Sequence, residues 1–323
     1  MTAVTRRTLL AAAGGATALL AAGPARAQLQ MPVSARGITL IEAYGPGSLT
    51  AQLADLLDAG LERELGVPVS LKSTSHAELR KALQTAPTDG SVLAITVPLD
   101  DAVDQAMAPA GQKFVTLTPV AKLTKGISEA LFVRMGSPFS TFEDLRAVDR
   151  NRTLRAGFIA SESAMQVAVA MLRRALAPSV ARVPFDTFDA LVKGVQSGEV
   201  DFGLARSNSL IPAAKVTPPP VSLLATFGAA RNPARPSVPT FAELTRQRTN
   251  AFTVSVAVFG PPGLESRPAR RVVQALEAAA GVRTVMEGAR ALNIPLAIAG
   301  SDLLSQSMAR EARVIDRVKP LGN

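Results

Sequence analysis

Between Ile38 and Val97 short apolar runs alternate with segments of helical period, and this alternation restricts the fold more than any other feature of the chain. Ile38 to Ile41 is a β-branched run that reads as a buried strand, closed by Tyr44, Gly45, Pro46 and Gly47. Ser48 then stands as an N-cap candidate, and Leu49, Leu53, Leu56, Leu57, Leu61 and Leu65 share one face of a helix that Gly66 ends. Val67 to Leu71 predicts a second strand, His76 to Leu83 a short helix, Asp89 and Gly90 a turn, and Val92 to Val97 a third strand. Parallel strands need crossover helices, so this β-α-β-α-β order predicts a doubly wound sheet.

A second unit of the same kind follows Leu117 to Leu123. Strands are predicted at Ala130 to Met135, Leu154 to Ile159, Arg182 to Phe185 and Val200 to Ala205, with helices at Thr141 to Val148, Ser163 to Leu176 and Phe188 to Val195. Val216 to Pro220 and Asn232 to Pro239 read as Pro-rich loops. Val254 to Phe259 is a further strand, and three helical segments complete the chain. Two α/β units joined by crossing segments imply a cleft between lobes, with ligands outside the carboxyl ends of the strands and helix N-termini pointing into the crevice.

Composition removes most chemistry from consideration. With no Cys and a single His among 323 residues, thiolate metal sites, iron–sulfur clusters, Cys nucleophiles and a His-based triad all lack their side chains. No Gly-x-Gly-x-x-Gly or Walker pattern occupies the first loop, and no Gly-x-Ser-x-Gly elbow is present. The expectation is therefore no catalytic residue, no metal and no cofactor. The net charge of +9 includes Arg6, Arg7 and Arg26, so +6 remains beyond them, scattered among acidic residues. Without a basic cluster or a stacking platform, nucleic acid is not an expected partner.

Those three arginines flank a leader. Arg6 and Arg7 precede a small-residue apolar run from Leu9 to Ala22, and Ala25-Arg26-Ala27 fits an A-x-A cleavage site. The run is shorter than the roughly 20 residues that span a bilayer. A cleaved secretory signal over residues 1–27 is expected, with Sec and twin-arginine export both open. The mature protein is then exported to the periplasm.

The order of landmarks resembles one family, the tripartite tricarboxylate transporter substrate-binding proteins, or Bug receptors. Ile38 to Leu57 is similar to the family's opening strand, Pro-Gly-Gly-Ser-Thr-Asp loop and helix; Gly66 to Val69 resembles its Gly-x-Pro-Val, and Asp89-Gly90 its Pro-Asp-Gly. Phe114 to Val120 and Leu131 to Pro138 resemble the two strands at its first domain crossing. Val183-Pro184, Gly198 to Val200, Val238 to Glu243 and Phe259 to Gly263 follow in the family's order and spacing. The resemblance implies a type II periplasmic binding protein: two lobes, each a doubly wound mixed sheet with flanking helices, hinged at two crossing segments near Lys125 and Asn250. Lobe I would hold residues 28–124 and 249–323, and lobe II residues 125–248. The implied function is capture of a small organic anion or zwitterion for a tripartite membrane transporter or a membrane sensor, by a monomer. A module that has lost its ligand and acts on a protein partner is the alternative, ahead of an exported α/β hydrolase.

The family's pocket motifs are altered here. The resemblance implies that backbone amides of the first loop hold one end of a carboxylate ligand; Pro46 and Gly47 remain, while Ser48, Leu49 and Ala51 replace its Gly, Ser and Asp. The family's Gly-x-Gly-Ser-x-x-His becomes Ala160, Ser161, Glu162, Ser163, Ala164, Met165, Gln166, keeping Ser163 alone. Its Tyr-Lys-Gly becomes Phe185, Asp186, Thr187, and its acidic residue after the strand becomes Ala205, followed by Arg206. Amides at Ser48 to Thr50 and Ser163 to Met165 would grip an anion by dipole and free N–H groups, or Ser48 and Ser163 are ordinary N-caps. Glu162 is either a helix-start acid or a contact for a ligand amine, and Arg206 either its partner across the cleft mouth or a bidentate grip on a carboxylate. Tyr44, the sole Tyr, and Ser75 with His76, the sole His, complete the candidates.

Overall fold

Helix α1 (Leu49–Leu65) forms where the leucine period predicts it, and its ends are fixed by the two expected residues. The Ser48 hydroxyl accepts the Ala51 amide at 3.2 Å. Gly66 turns left-handed at φ 71° and donates its amide to the Glu62 carbonyl. Leu53, Leu57, Leu61 and Leu65 are all buried, each contributing about 1.5–3 kcal/mol through area removed from water. Leu56 lies at the margin of that stripe, packed against the core without entering it.

The computed structural model describes residues 37–112, 114–213 and 220–319. The leader and most of the Pro-rich loop at 216–220 lie outside the described residues. Two mixed sheets organise the chain. The first has the order β11-β4-β10-β3-β1-β2. Here β1 (Ile38–Glu42) runs parallel to β2 (Val69–Ser73) and β3 (Val92–Thr96). Strand β10 (Ala257–Gly260) is antiparallel to β3 and to β4 (Thr118–Thr124), and β11 (Leu296–Gly300) is antiparallel to β4. Helices α1, α2 (His76–Thr85), α3 (Pro98–Met107), α9 (Ser266–Ala280), α10 (Arg283–Ala291) and α11 (Ser301–Val318) flank this sheet.

The second sheet has the order β7-β6-β8-β5-β9. Strand β6 (Thr153–Ile159) is parallel to β7 (Ser179–Phe185) and β8 (Phe202–Arg206), while β5 (Glu129–Arg134) is antiparallel to β8 and β9 (Val221–Thr226). Four helices belong to this part: α4 (Phe142–Arg146), α5 (Met165–Ala175), α6 (Phe188–Ser197) and α7 (Ser207–Ala213); α8 (Phe241–Thr245) follows β9. Each sheet with its helices makes one lobe, as the strand and helix alternation predicts.

Two segments carry the chain between the sheets, β4 to β5 and β9 to β10, and they run side by side. Ile127 and Val254 exchange both backbone hydrogen bonds at 2.8 Å, and Leu123 donates to Val256 at 2.8 Å. Gly126 permits this approach, because a Cβ there would overlap the Thr253 hydroxyl. The last turn of α11 forms a further connection: Arg174 of α5 donates to the carbonyls of Arg317 (2.5 Å) and Lys319 (2.8 Å).

Several elements differ from the sequence expectation. Helix α3 has no counterpart among the expected elements, yet Pro98 at N1 with Asp100 and Asp101 in the first turn is a helix start. The strand predicted from Val254 to Phe259 is shorter, since Val254 belongs to the crossing-segment bridge. Strand β9 follows the Pro-rich stretch, and β11 is a half-buried edge strand where only helical segments were expected. Helix α5 starts at Met165 with Ala164 as N-cap, so Ser163 does not cap it.

Candidate ligand-binding site

The carboxyl ends of β1, β3 and β8 and the N-termini of α3 and α5 converge on Arg206, the last residue of β8. Its side chain is 1% exposed and faces three carboxylates. Nη2 donates to Asp100 Oδ2 at 2.5 Å, Nη1 lies 3.2 Å from Glu162 Oε1, and Nε lies 3.7 Å from Glu129 Oε1. Glu129 is placed by register, since it opens β5 directly opposite Arg206 in the antiparallel pair. Above the guanidinium sits the Tyr44 ring, 5.4 Å from centroid to Cζ.

Only one of the three acids comes from the first lobe. Asp100, in the first turn of α3, reaches into the second lobe and accepts the Ala164 amide at 2.6 Å as well as Arg206. Its carboxylate therefore sits against the N-terminus of α5, where amides and dipole favour an anion. One turn on, Asp104 accepts the Ser163 hydroxyl, again between lobes. Glu162 and Arg206 do pair, as the sequence allowed, but within one lobe and buried rather than across the cleft mouth.

The loop after β1 contains a second anion position, and it too holds a carboxylate of the chain. Glu42, with no exposed surface, accepts the Tyr44 amide at 2.7 Å, the Gly45 amide at 3.1 Å and the Thr50 hydroxyl at 3.1 Å, with the Ser48 hydroxyl at 3.4 Å. Gly45, at φ 83°, turns the chain so that these donors converge.

Burial and charge set the protonation of this cluster. Burial raises Glu129 well above the usual carboxylate range, and the nearby Glu162 and Asp100 add to the rise against the pull of Arg206. Neither of its oxygens has a hydrogen-bond partner among the described residues. Glu129 is therefore the carboxyl of the three pushed furthest toward its neutral form. Burial also raises Glu162 and Asp100, with Arg206 opposing in both. The Tyr44 phenol is raised well above its ordinary value by burial and by Asp100 and Asp101.

The remaining sequence candidates fall into two groups. Tyr44, Ser48, His76, Glu162, Ser163 and Arg206 are brought together around these contacts. The Tyr44 hydroxyl meets Thr96 Oγ1 at 3.1 Å and accepts the Val97 amide at 3.1 Å, and its ring meets His76 edge-on at 4.9 Å. Burial lowers the His76 pKa, but a hydrogen bond to Asp101 and the charges of Asp100, Asp101 and Asp104 outweigh it, so the net shift is upward. His76, Asp101 and Asp104 offer donor atoms within 4.8 Å of one another. Arg80 already supplies a cation there, bridging Asp101 at 3.0 Å and Asp104 at 3.1 Å.

The second group faces elsewhere. Pro46 and Gly47 are exposed, Leu49 is buried in the core, and Ser161 is a half-buried turn residue. Ser75 is an exposed N-cap in a capping box with Glu78. Phe185 packs onto Gly194, whose added Cβ would lie 2.5 Å from the ring, and Asp186 is exposed. Sequence reading missed Glu42, Asp100, Asp104 and Glu129. For Asp100 and Asp104 the signal was the overlooked start of α3; for Glu42 it was an acid ending an otherwise apolar strand.

A cavity of about 440 Å³ opens beside the Asp104 to Ser163 contact, lined by Arg80, Met107 and Phe114 on one side and Phe158, Gln166 and Pro184 on the other. A larger cavity of about 880 Å³, lined by Arg146, Arg174, Arg246 and Arg317, shares no residue with it.

Two α/β lobes that meet at the Arg206 cluster, joined by paired crossing segments, have the fold of a periplasmic solute-binding protein. Residues 57–312 match the model of the tripartite tricarboxylate transporter family receptor, and the chain belongs to that family. Among solved structures it is similar to MatC from Rhodopseudomonas palustris with bound malate, at 20% identity and TM-score 0.76, over 88% of this chain and 99% of that one. The periplasmic binding protein BugD aligns at 14% identity and TM-score 0.73, over 90% and 100%. R. palustris Rpa4515 with adipate aligns at 20% identity and TM-score 0.74, over 88% and 96%. No curated protein matches the chain. Among the described residues, no helix is long and apolar enough to cross a membrane.

Proposed function

We propose that this protein is a periplasmic receptor that captures a small organic acid or zwitterion between its lobes and passes it to a tripartite-type membrane transporter. The observation that carries this reading is the grip formed by Arg206 and the Ala164 amide, which holds a carboxylate by two donors. A second set of donors, around Gly45, lies on the other lobe. Malate and adipate, the ligands of two similar structures, are both dicarboxylates with an acid group at each end. In this reading lobe I comprises residues 28–124 and 249–323, lobe II residues 125–248, and closure about the crossing segments excludes water from the grip. Binding uses ordered donors and requires no covalent step. The leader at residues 1–27 directs export.

Ligand-induced melting shifts across a panel of dicarboxylates, amino acids and aromatic acids test the proposal. A concentration-dependent rise in Tm with at least one member is the expected result. No rise with any compound overturns it in favour of a module that acts on a protein partner.

A further inference from the structure

Resting on that receptor reading, we propose that Asp100 is a built-in substitute for a ligand carboxylate: it fills the second lobe's grip from the first lobe, holds the lobes together, and must be displaced by any acid that binds there. Both of its oxygens are engaged by the opposite lobe, Oδ1 by the Ala164 amide at 2.6 Å and Oδ2 by Arg206 at 2.5 Å, and the residue has no exposed surface. An acid three residues into a helix ordinarily turns back to cap its own N-terminus. The α3 N-cap, Val97, has no side-chain cap, and the Asp100 side chain is committed across the cleft instead.

The surroundings suit a removable group. Arg206 keeps Glu162 at 3.2 Å within its own lobe, so withdrawal of Asp100 does not leave a bare buried guanidinium. Glu162 stays at 3.2 Å from Nη1 and Glu129 at 3.7 Å from Nε, so the donors that a ligand carboxylate would inherit are the two that Asp100 holds, Nη2 and the Ala164 amide. The Ser163 hydroxyl and Asp104 form a second clasp one helical turn further along α3. Asp100 thus selects against weakly binding acids, because a ligand must outcompete an internal carboxylate whose local concentration is fixed by the fold.

The test uses the full chain in a sulfonate buffer free of carboxylates, comparing wild type with Asp100→Asn and Asp100→Ala by small-angle scattering and by titration with succinate. Both variants are expected to have a larger radius of gyration than wild type, and Asp100→Ala to contract again when succinate is added. Asp100→Ala should also bind succinate about tenfold more tightly, the factor expected if the clasp leaves about one molecule in ten open. Unchanged radii in the variants overturn the proposal, as does expansion that succinate fails to reverse. Should Asp100→Ala fail to fold, the isosteric Asp100→Asn and the milder Ser163→Ala carry the scattering comparison. A wild type that responds to another acid of the panel keeps the receptor reading whatever the radii do, so the two ideas fail separately.

Discussion

Arg206 has more acid around it than one positive charge can neutralise, and the three acids are not equivalent. Glu129 is the one pushed furthest toward its neutral form, so Glu129→Gln should leave stability within about 1 kcal/mol of wild type in urea denaturation. Arg206→Met removes the guanidinium that pairs with both Asp100 and Glu162, and a loss of about 3–5 kcal/mol is expected in the same measurement. A second buried acid gives a pH signature. Glu311 of α11 accepts the Ser255 hydroxyl at 2.9 Å, yet burial pushes its pKa up to about 7 from an ordinary 4.5. Between those values the folded protein binds a proton that the unfolded chain does not, so stability falls as pH rises through this window. Wild type should lose on the order of 3 kcal/mol from pH 4.5 to above 7 through this group, and Glu311→Gln should flatten that part of the profile in denaturation across pH.

At the scale of elements, α1 and α3 show what the sequence does and does not reveal. Helix α1 was legible because a leucine stripe, a capping serine and a terminal glycine all agree, and Leu57→Ala within it should cost about 2–5 kcal/mol by chemical denaturation. Helix α3 carries the acids that matter most to the site, yet its Pro98 reads as the end of a strand until the acidic first turn after it is weighed. The site followed the same pattern. Arg206 and Glu162 could be chosen from sequence because they replace family residues, and Ser48 because it precedes a clear helix. Asp100, Glu42 and Glu129 could not, since their roles depend on a partner 106 positions away, on the left-handed turn at Gly45, or on strand register. Spacing along the chain does not encode those relations.

For the whole molecule, the two crossing segments determine how the lobes can move. Gly126→Ala would push the Thr253 side chain, so we expect a loss of about 1–3 kcal/mol in thermal or chemical denaturation and a changed interlobe angle in scattering. The α/β alternation and the order of family motifs were enough to reach this architecture, because they are properties of local period and turn chemistry. The connection between α5 and the last turn of α11 was not, since it joins an arginine to backbone carbonyls that carry no sequence mark.

That connection has a mechanical consequence. A body held at the crossing segments and again where Arg174 grips the carbonyls of Arg317 and Lys319 should be restrained from sliding or twisting; two pinned points would leave rotation about the line between them. Solute capture should then resemble a door on two hinges, in which displacement grows with distance from the axis. The amides beside Arg174 should exchange hydrogen at the same rate with and without solute.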